Sequence, residues 1–429
     1  MKKVKFSTLG CKVNQYETEA MAELFIKNGY EITNDFDCDV FVLNTCTVTN
    51  LSDRKSRQQI SKIKSENKDV IIAVVGCYSQ VSPEEIEKIE GVNVIIGTKY
   101  RKDIVKLCEL AKSSNKTINK VENIGKNREF EELSINTEQS MTRAYIKIQE
   151  GCSQFCSYCI IPYARGPIRS RKIRDIVLEA KRLADNGFKE IVLTGIHVAS
   201  YGKDLNEDTG LINVIEEIGL IENIKRIRLS SLEPRIVTKN FLDRVKKVKQ
   251  FCDHFHLSLQ SGSDTILKSM NRKYDTNLYR DTIELIRQYY PDAAITTDII
   301  VGFPGETDED FKKTIDFVDK IQFSKIHVFK YSNRKGTVAS KMKNQISGEV
   351  KRRRSQILIE KSTYYTDLFL NKMLNKPIQV LFESKNDDGF SKGYTTNYIR
   401  VKRDYNPNLS NKIIDVICDK RDNEELVCK

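Results

Sequence analysis

The chain reads as an α/β protein in three parts: a doubly wound N-terminal domain, a partial (βα)6 barrel and a small C-terminal antiparallel β-barrel. Three observations predict this. Short β-branched runs alternate with amphipathic stretches over residues 1–112 and again over 141–370, the pattern of parallel strands wrapped by helices. Residues 371–429 carry only short β-rich runs parted by turn-forming stretches, which predicts antiparallel pairing. At 429 residues the chain is also too long for one ordinary core, so two or three domains are expected.

In the first part KVKFST, DVFVLN, VIIAVV and VNVIIG are the strands, and QYETEAMAELFIKNG, SDRKSRQQISKIK, SPEEIEKIE and YRKDIVKLCELAK the helices that follow them. Gly29 and Gly91 stand where helices end, and Ser82-Pro83 reads as an N-cap followed by a first-turn proline. Residues 113–140 are polar and without period, and are expected to form a linker with at most a short extended segment. The second part offers RAYIKIQE, EIVLTG, IKRIRLS, FHLSLQ, AITTDIIVGFPG and KIHVFKY as strands, with helices such as IRDIVLEAKRLADNG and DEDFKKTIDFVDK between them. About six units fall short of a complete eight-stranded barrel, so one side stays open for a large substrate and the chemistry belongs at the strand C-termini. Residues 347–370 read as a helix with a basic block at Lys351–Arg354, and KPIQVLFES, YTTNYIRVKR, NKIIDVICDK and EELVC then supply the strands of the terminal barrel.

Composition narrows the function. Hydrophobic content is 39%, and the longest apolar run, Val70–Val75, is far short of the roughly 20 residues a membrane helix needs. Neither a spanning helix nor the apolar stretch of a signal peptide is present, so a cytoplasmic protein with no membrane partner is expected. Net charge is +12, and residues 141–370 hold 39 Lys/Arg against 29 Asp/Glu, most of that excess. A polyanionic partner such as a nucleic acid explains a basic core, although solubility alone also does.

The cysteines carry the chemistry. Eleven is an odd count for a disulfide framework, whereas in a reducing compartment they serve as thiolate ligands. Cys152, Cys156 and Cys159 form a CxxxCxxC set in EGCSQFCSYCIIPYARG. A structural zinc site closes with four Cys or His ligands, so three thiolates with one position open point instead to a catalytic iron–sulfur cluster. Cys11, Cys46 and Cys77 each follow a predicted strand of the N-terminal domain. In a parallel sheet all three emerge at the carboxyl edge, where such folds bind ligands, so they can form a second three-thiolate set; three unrelated core cysteines are the plainer alternative. Cys38 and Cys108 fall within element patterns and are expected in the core.

These blocks together resemble the radical SAM methylthiotransferases along almost the whole chain. TLGCKVNQYETE, NTCTVTN and GCYSQ are similar to that family's N-terminal cluster-binding domain, GCSQFCSYCIIPYARGPIRSR to its radical SAM motif, and residues 371–429 to its terminal RNA-binding TRAM barrel. TLGCKVNQYE and LTGIHVASYG most resemble the bacterial branch that methylthiolates carbon 2 of N6-threonylcarbamoyladenosine at position 37 of tRNA. The resemblance implies two [4Fe-4S] clusters, one held by Cys152, Cys156 and Cys159 and binding S-adenosylmethionine, the other held by Cys11, Cys46 and Cys77 and delivering sulfur. It implies the tRNA anticodon stem-loop and a reducing electron donor as partners. An aromatic C–H offers no acidic proton to a general base, which is why such a reaction needs radical chemistry.

The remaining candidates are single residues. Tyr158 is expected near the SAM adenine by analogy, and Glu233, Gln260 and Arg334, at or after strand ends, as further cofactor or base contacts. Arg165, Arg169, Arg171, Lys172 and Arg174 follow the triplet with no acid between them and read as an RNA phosphate track or a solvated basic loop. Gly302-Phe303-Pro304-Gly305 is a tight βα connection at least as readily as a cofactor contact. His197, His254, His256 and His327 make no metal-spaced pair with cysteine and are assigned to packing. The competing functions are a methylthiotransferase for isopentenyladenosine or for a ribosomal-protein aspartate, a radical SAM enzyme using the N-terminal cysteines for electron transfer, and a non-enzymatic iron–sulfur RNA-binding protein.

Overall fold

The computed structural model describes residues 1–114, 116–135, 142–207, 209–383 and 389–429. Its first part runs β1 (Lys2–Thr8), α1 (Lys12–Lys27), β2 (Tyr30–Ile32), β3 (Val40–Thr45), α2 (Asn50–Glu66), β4 (Ile71–Gly76), α3 (Cys77–Val81), α4 (Pro83–Glu87), β5 (Val92–Ile96), α5 (Ile104–Ser114) and β6 (Ile118–Asn119). All six strands are parallel, in the order β2-β1-β3-β4-β5-β6. VFVLNT and IIAVVG are buried at every position, as strands covered on both faces must be. Met21, Phe25, Ile104 and Leu107 of α1 and α5 pack on one face, and Ile60 and Ile63 of α2 on the other. Thr49 opens α2 by accepting the Ser52 N–H, a standard N-cap.

Of the expected linker, Asn115 and residues 136–140 lie outside the described residues. The rest is tied down: it supplies β6, buries Ile124, Leu133 and Ile135, and its Leu133 carbonyl accepts the Tyr16 hydroxyl of α1.

The second part comprises β7 (Arg143–Glu150), α6 (Ile161–Arg165), β8 (Arg169–Ser170), α7 (Ile173–Asp185), β9 (Glu190–Gly195), α8 (Leu211–Gly219), β10 (Arg226–Leu229), α9 (Lys239–Val245), β11 (His254–His256), α10 (Asp264–Ser269), α11 (Thr276–Tyr289), β12 (Ala294–Val301), α12 (Asp308–Ile321), β13 (Lys325–Lys330) and α13 (Gly348–Met373). Parallel β7-β9-β10 and parallel β11-β12-β13 meet through parallel bridges at Ile227–Phe251 and Leu232–Leu257, giving six barrel strands. One apolar cluster fills the space between strands and helices, with Ile146, Leu193, Ile227, Phe255 and Ile295 in it. α12 starts on a capping box of Thr307 and Asp310 with three acids in its first turn, matching the helix dipole.

β14 (Pro377–Phe382), β15 (Phe390–Thr395), β16 (Arg400–Asp404), β17 (Ile413–Asp422) and β18 (Glu425–Cys428) close into a barrel in the order β14-β15-β16-β18-β17. YTTNYIRVKR, expected as one strand, is a hairpin. The Thr395 N–H is accepted by the Ile399 carbonyl at 3.0 Å, and Tyr398 turns through φ 67°. Alternation cannot reveal such a turn, because its residues keep the β-rich composition of the arms. Cys418 and Cys428, without a role in the sequence reading, are paired as a disulfide across β17 and β18.

The hairpin tip seats this barrel against the N-terminal ends of the core strands. Arg226 donates to the Tyr394 carbonyl at 2.7 Å, and Arg228 to the carbonyls of Thr396 and Thr395 at 2.8 and 3.1 Å. Tyr398 stacks on His254 with ring centres 4.9 Å apart. Among the described residues no helix is long and apolar enough to cross a membrane.

Candidate iron–sulfur and cofactor site

Cys152, Cys156 and Cys159 lie on the loop that leaves β7. Its first turn requires glycine: Gly151 has φ +73°, and a Cβ there would fall 1.9 Å from the Pro167 carbonyl oxygen. The loop is then pinned from several sides. The Cys152 N–H donates to the Gly166 carbonyl at 3.0 Å, the Cys159 N–H to Cys156 at 2.9 Å, and Ser157 Oγ to the Ser269 carbonyl at 2.7 Å. Arg272 points Nη1 at Cys156 Sγ, 3.2 Å away. Burial pushes the Cys152 thiol up to about 11 and the Cys159 thiol up to about 12.

Cys11, Cys46 and Cys77 leave the adjacent strands β1, β3 and β4 at the carboxyl edge of the sheet, as the strand order requires. Gly76 sets the entry to Cys77 with φ +104°; an added Cβ would meet Asn44 Oδ1 at 2.6 Å and the Thr45 carbonyl at 2.7 Å. Asn14, one turn into α1, ties the other two loops together by donating to the Leu9 carbonyl at 2.8 Å and to the Thr45 carbonyl at 2.9 Å. Burial pushes the Cys77 thiol up to about 12 against the opposing charge of Arg165, and raises Cys46 as well. Arg165 Nε donates to Cys77 Sγ at 3.0 Å.

Both triplets fit an iron–sulfur cluster by donor chemistry. Each has three thiols on braced loops and one arginine N–H aimed at a sulfur, a contact that opposes the upward push of burial and tunes a cluster from outside its ligands. Among the described residues no group of three or more His, Cys, Asp or Glu converges closely enough for a single metal ion. A cubane presents its irons at separate corners, so thiolates spaced around it need not share one point.

A cavity of about 1390 Å³ is lined by Cys11 and by Cys152, Cys156 and Cys159. Tyr158, Glu233 and Gln260 line it too, at the strand C-termini where they were expected. Burial opposes the charge of Glu233, yet hydrogen bonds from His197 and Arg235 bring its pKa down to about 2. Gln260 turns through φ +74°, its N–H donating to the Asp298 carbonyl at 2.8 Å.

Four expected contacts are placed elsewhere. Arg334 does not line the cavity; it is buried at the joint between the first two parts of the chain, donating to Asn50 and Asp53, each at 2.6 Å. Arg165, Arg169 and Arg171 are 0%, 1% and 3% exposed, so they are no phosphate track. Arg165 and Arg171 look unpaired in sequence because acids reach them across the fold, Glu17 at 2.6 Å and Glu132 at 2.9 Å, with Glu179 also on Arg171; Arg169 instead donates to the nearby Pro167 carbonyl at 3.0 Å. Only Lys172 and Arg174 of that run are exposed. Within the basic block, Arg354 is likewise buried on Glu306 at 2.6 Å, and the Glu306 carboxylate accepts the Gly302 N–H, so Gly302–Gly305 is a structural turn.

The sequence reading missed Arg272, Asn14 and Lys12, and assigned four cavity histidines to packing. His197, His254, His256 and His327 all face the cavity, with His256 bridging Thr296 at 2.9 Å and Asp298 at 3.2 Å. Their position at or just after barrel strands is the signal the sequence offers, and metal spacing does not reveal it.

Two stretches of the chain match known families. Residues 3–97 match the family described as Uncharacterized protein family UPF0004, and residues 146–318 match the Radical SAM superfamily. The threonylcarbamoyladenosine tRNA methylthiotransferase MtaB of Bacillus subtilis is 41% identical over 97% of this chain and 93% of its own length. The chain belongs to the radical SAM methylthiotransferases. MtaB of Aquifex aeolicus is 38% identical, covering 94% of this chain and 97% of its own, and the tRNA-2-methylthio-N(6)-dimethylallyladenosine synthase of Acetivibrio thermocellus is 36% identical, covering 96% and 87%. Among solved structures, the radical S-adenosylmethionine methyltransferase TsrM of Kitasatospora setae superposes with a TM-score of 0.56 at 16% identity, over 77% of this chain and 75% of that one. That likeness places the methylthiotransferase in the same fold.

Proposed function

We propose that this methylthiotransferase modifies carbon 2 of N6-threonylcarbamoyladenosine at position 37 in the anticodon stem-loop of cytoplasmic tRNA. The observation that carries the reading is the single cavity with a cysteine of one triplet and all three of the other on its walls. Two reactive centres facing one space act on one substrate atom. The named relatives include enzymes for both threonylcarbamoyladenosine and dimethylallyladenosine. The wall favours the former: Lys12 projects into the cavity, makes no ion pair among the described residues and lies 5.6 Å from the Tyr398 ring. A cation suits the carboxylate of a threonyl group and has nothing to offer a hydrocarbon chain.

In this reading residues 1–112 hold one [4Fe-4S] cluster through Cys11, Cys46 and Cys77, residues 141–370 hold the other through Cys152, Cys156 and Cys159, residues 113–140 connect them, and 371–429 bind RNA. When bound, S-adenosylmethionine and the two clusters supply the carbon radical and the methylthio group, with electrons from an external low-potential donor. The chain's part is placement. Tyr158, Glu233 and Gln260 line the cofactor side of the cavity, and the His197–Glu233 contact at 3.3 Å fixes the carboxylate. Exposed Lys172 and Arg174 contribute to phosphate contact.

The test is the nucleoside profile of tRNA from cells lacking the gene. Loss of 2-methylthio-N6-threonylcarbamoyladenosine alone supports the reading, and an unchanged profile defeats it. Anaerobic reconstitution gives about eight irons per chain, falling to about four when Cys152, Cys156 and Cys159 become Ala.

A further inference from the structure

Arg165 ends α6, six positions after Cys159, yet each of its three donor nitrogens reaches a residue of the N-terminal part, with only Nη1 also meeting Glu150 of β7. Nε donates to Cys77 Sγ at 3.0 Å, Nη1 to Glu17 at 2.6 Å and Glu150 at 3.0 Å, and Nη2 to Asn14 Oδ1 at 2.7 Å and Glu17 at 3.1 Å. The side chain is fully buried, and Glu17 is shared with Arg101 and Lys147 at 2.5 and 3.0 Å. Asn14, which receives Arg165, is the residue that holds the Leu9 and Thr45 carbonyls, next to Gly10-Cys11 and Cys46 respectively. Cys11 Sγ also lies 3.7 Å from Asn14 Oδ1. One arginine and one asparagine thus touch all three cysteine loops of the N-terminal sheet.

We infer that Arg165 is the positioning residue of the second cluster: through Asn14 it gathers the three cysteine loops, and through Cys77 it sets the potential of the cluster they hold. The inference rests on the reading that Cys11, Cys46 and Cys77 bind iron and sulfide. Its physical basis is that a reduced cluster carries more negative charge than an oxidised one. A fixed cation hydrogen-bonded to a ligand sulfur therefore stabilises the reduced form and raises the potential. Second-layer partners of this kind typically hold about 10–100-fold of metal affinity. The geometry also makes the second site incomplete until the radical SAM loop has docked.

The experiment uses the full chain carrying Cys152→Ala, Cys156→Ala and Cys159→Ala, reconstituted anaerobically with iron and sulfide so that only the second cluster is present. Arg165→Met, Arg165→Lys and Asn14→Ala are added singly. Two quantities are read: the rate of iron release to a chelator, and the midpoint potential from an electron paramagnetic resonance titration with chemical reductant. Arg165→Met is expected to release iron about 10–100-fold faster and to shift the potential to a more negative value, with Arg165→Lys between it and the parent. Asn14→Ala, which leaves every ion pair of Arg165 in place, is expected to release iron faster and carries the test if Arg165→Met does not fold. Parent-like release and potential in Arg165→Met, or parent-like release in Asn14→Ala, overturns the inference. A parent that binds no iron overturns instead the assignment of the second cluster, so the two failures are distinct.

Discussion

The two cysteine triplets are built by opposite means. Cys152, Cys156 and Cys159 fall within one loop, so their spacing is set by local sequence, and the loop is braced from a further segment, residues 269–272. Cys11, Cys46 and Cys77 come from three strand ends, and are brought together by a parallel sheet and by a buried cluster of charges spanning Glu17, Arg101, Lys147, Glu150 and Arg165. A local set is legible from spacing and survives damage elsewhere. A dispersed set is only as sound as the long-range contacts beneath it, and charges that face each other without water are the least tolerant of those contacts.

That contrast can be broken most forcefully at Glu17. Glu17→Ala leaves Arg101, Arg165 and Lys147 buried without their shared acid, and a loss of about 3–5 kcal/mol is expected from denaturant unfolding. Iron bound by the second triplet falls while the first retains its share. A gentler version exchanges the two glycines. Gly76→Ala and Gly151→Ala each force a backbone that L residues avoid, at about 1–3 kcal/mol. Iron analysis of the reconstituted variants is then expected to show loss from the second triplet alone in Gly76→Ala, whereas Gly151→Ala, whose added Cβ meets the Pro167 and Gly166 carbonyls beside Arg165, loses iron from the first and in part from the second; loss from the first alone in Gly151→Ala contradicts that dependence.

Acid sharpens the same point without mutation. Burial works against the charge of Glu17, but the surrounding Arg101, Arg165 and Lys147 hold its pKa below the ordinary 4.5. A carboxylate lowered on folding contributes stability that is complete above that ordinary value and is lost as the pH falls toward the lowered one. Denaturant midpoints of the metal-free protein are therefore expected to fall with pH below about 4.5. In Glu17→Gln that decline is shallower.

Smaller effects belong to the cavity wall and the surface. Lys12→Gln is expected to reduce kcat/KM on threonylcarbamoyl-bearing tRNA about 10–100-fold, the weight of a charge-assisted hydrogen bond, without changing iron content. Lys172→Ala with Arg174→Ala leaves stability within about 0.5 kcal/mol, and flattens the salt dependence of tRNA binding by the loss of about two counterions. Neither triplet's iron changes, which separates surface electrostatics from assembly.

What the sequence made readable follows the same division. The six barrel strands and four of the six N-terminal strands stood out as apolar runs, and CxxxCxxC stood out by spacing. β2 and β6, of three and two residues, are too short to show a period and exist because neighbouring strands offer them partners. The positions of Cys11, Cys46 and Cys77 followed from strand order, but the means of holding them did not. Arg165 and Arg171 read as part of a basic run because Glu17 and Glu132 are brought to them only by folding, and Arg334 reads as a strand-end polar residue until Asp53 meets it. Tyr398 offered no turn signal, since a bulky residue at positive φ is held there by surrounding contacts rather than by preference.

The seat of Arg165 against Cys77 has a consequence for the order of events on the ribosome. Synthesis delivers the N-terminal sheet first, and domains fold as they emerge. All three of that sheet's cysteines are made well before residue 165, yet the guanidinium that reaches Cys77 arrives only after Cys159 has been added. On that inference, the site at the edge of the N-terminal sheet is completed only once the segment carrying Arg165 has been made and docked against it.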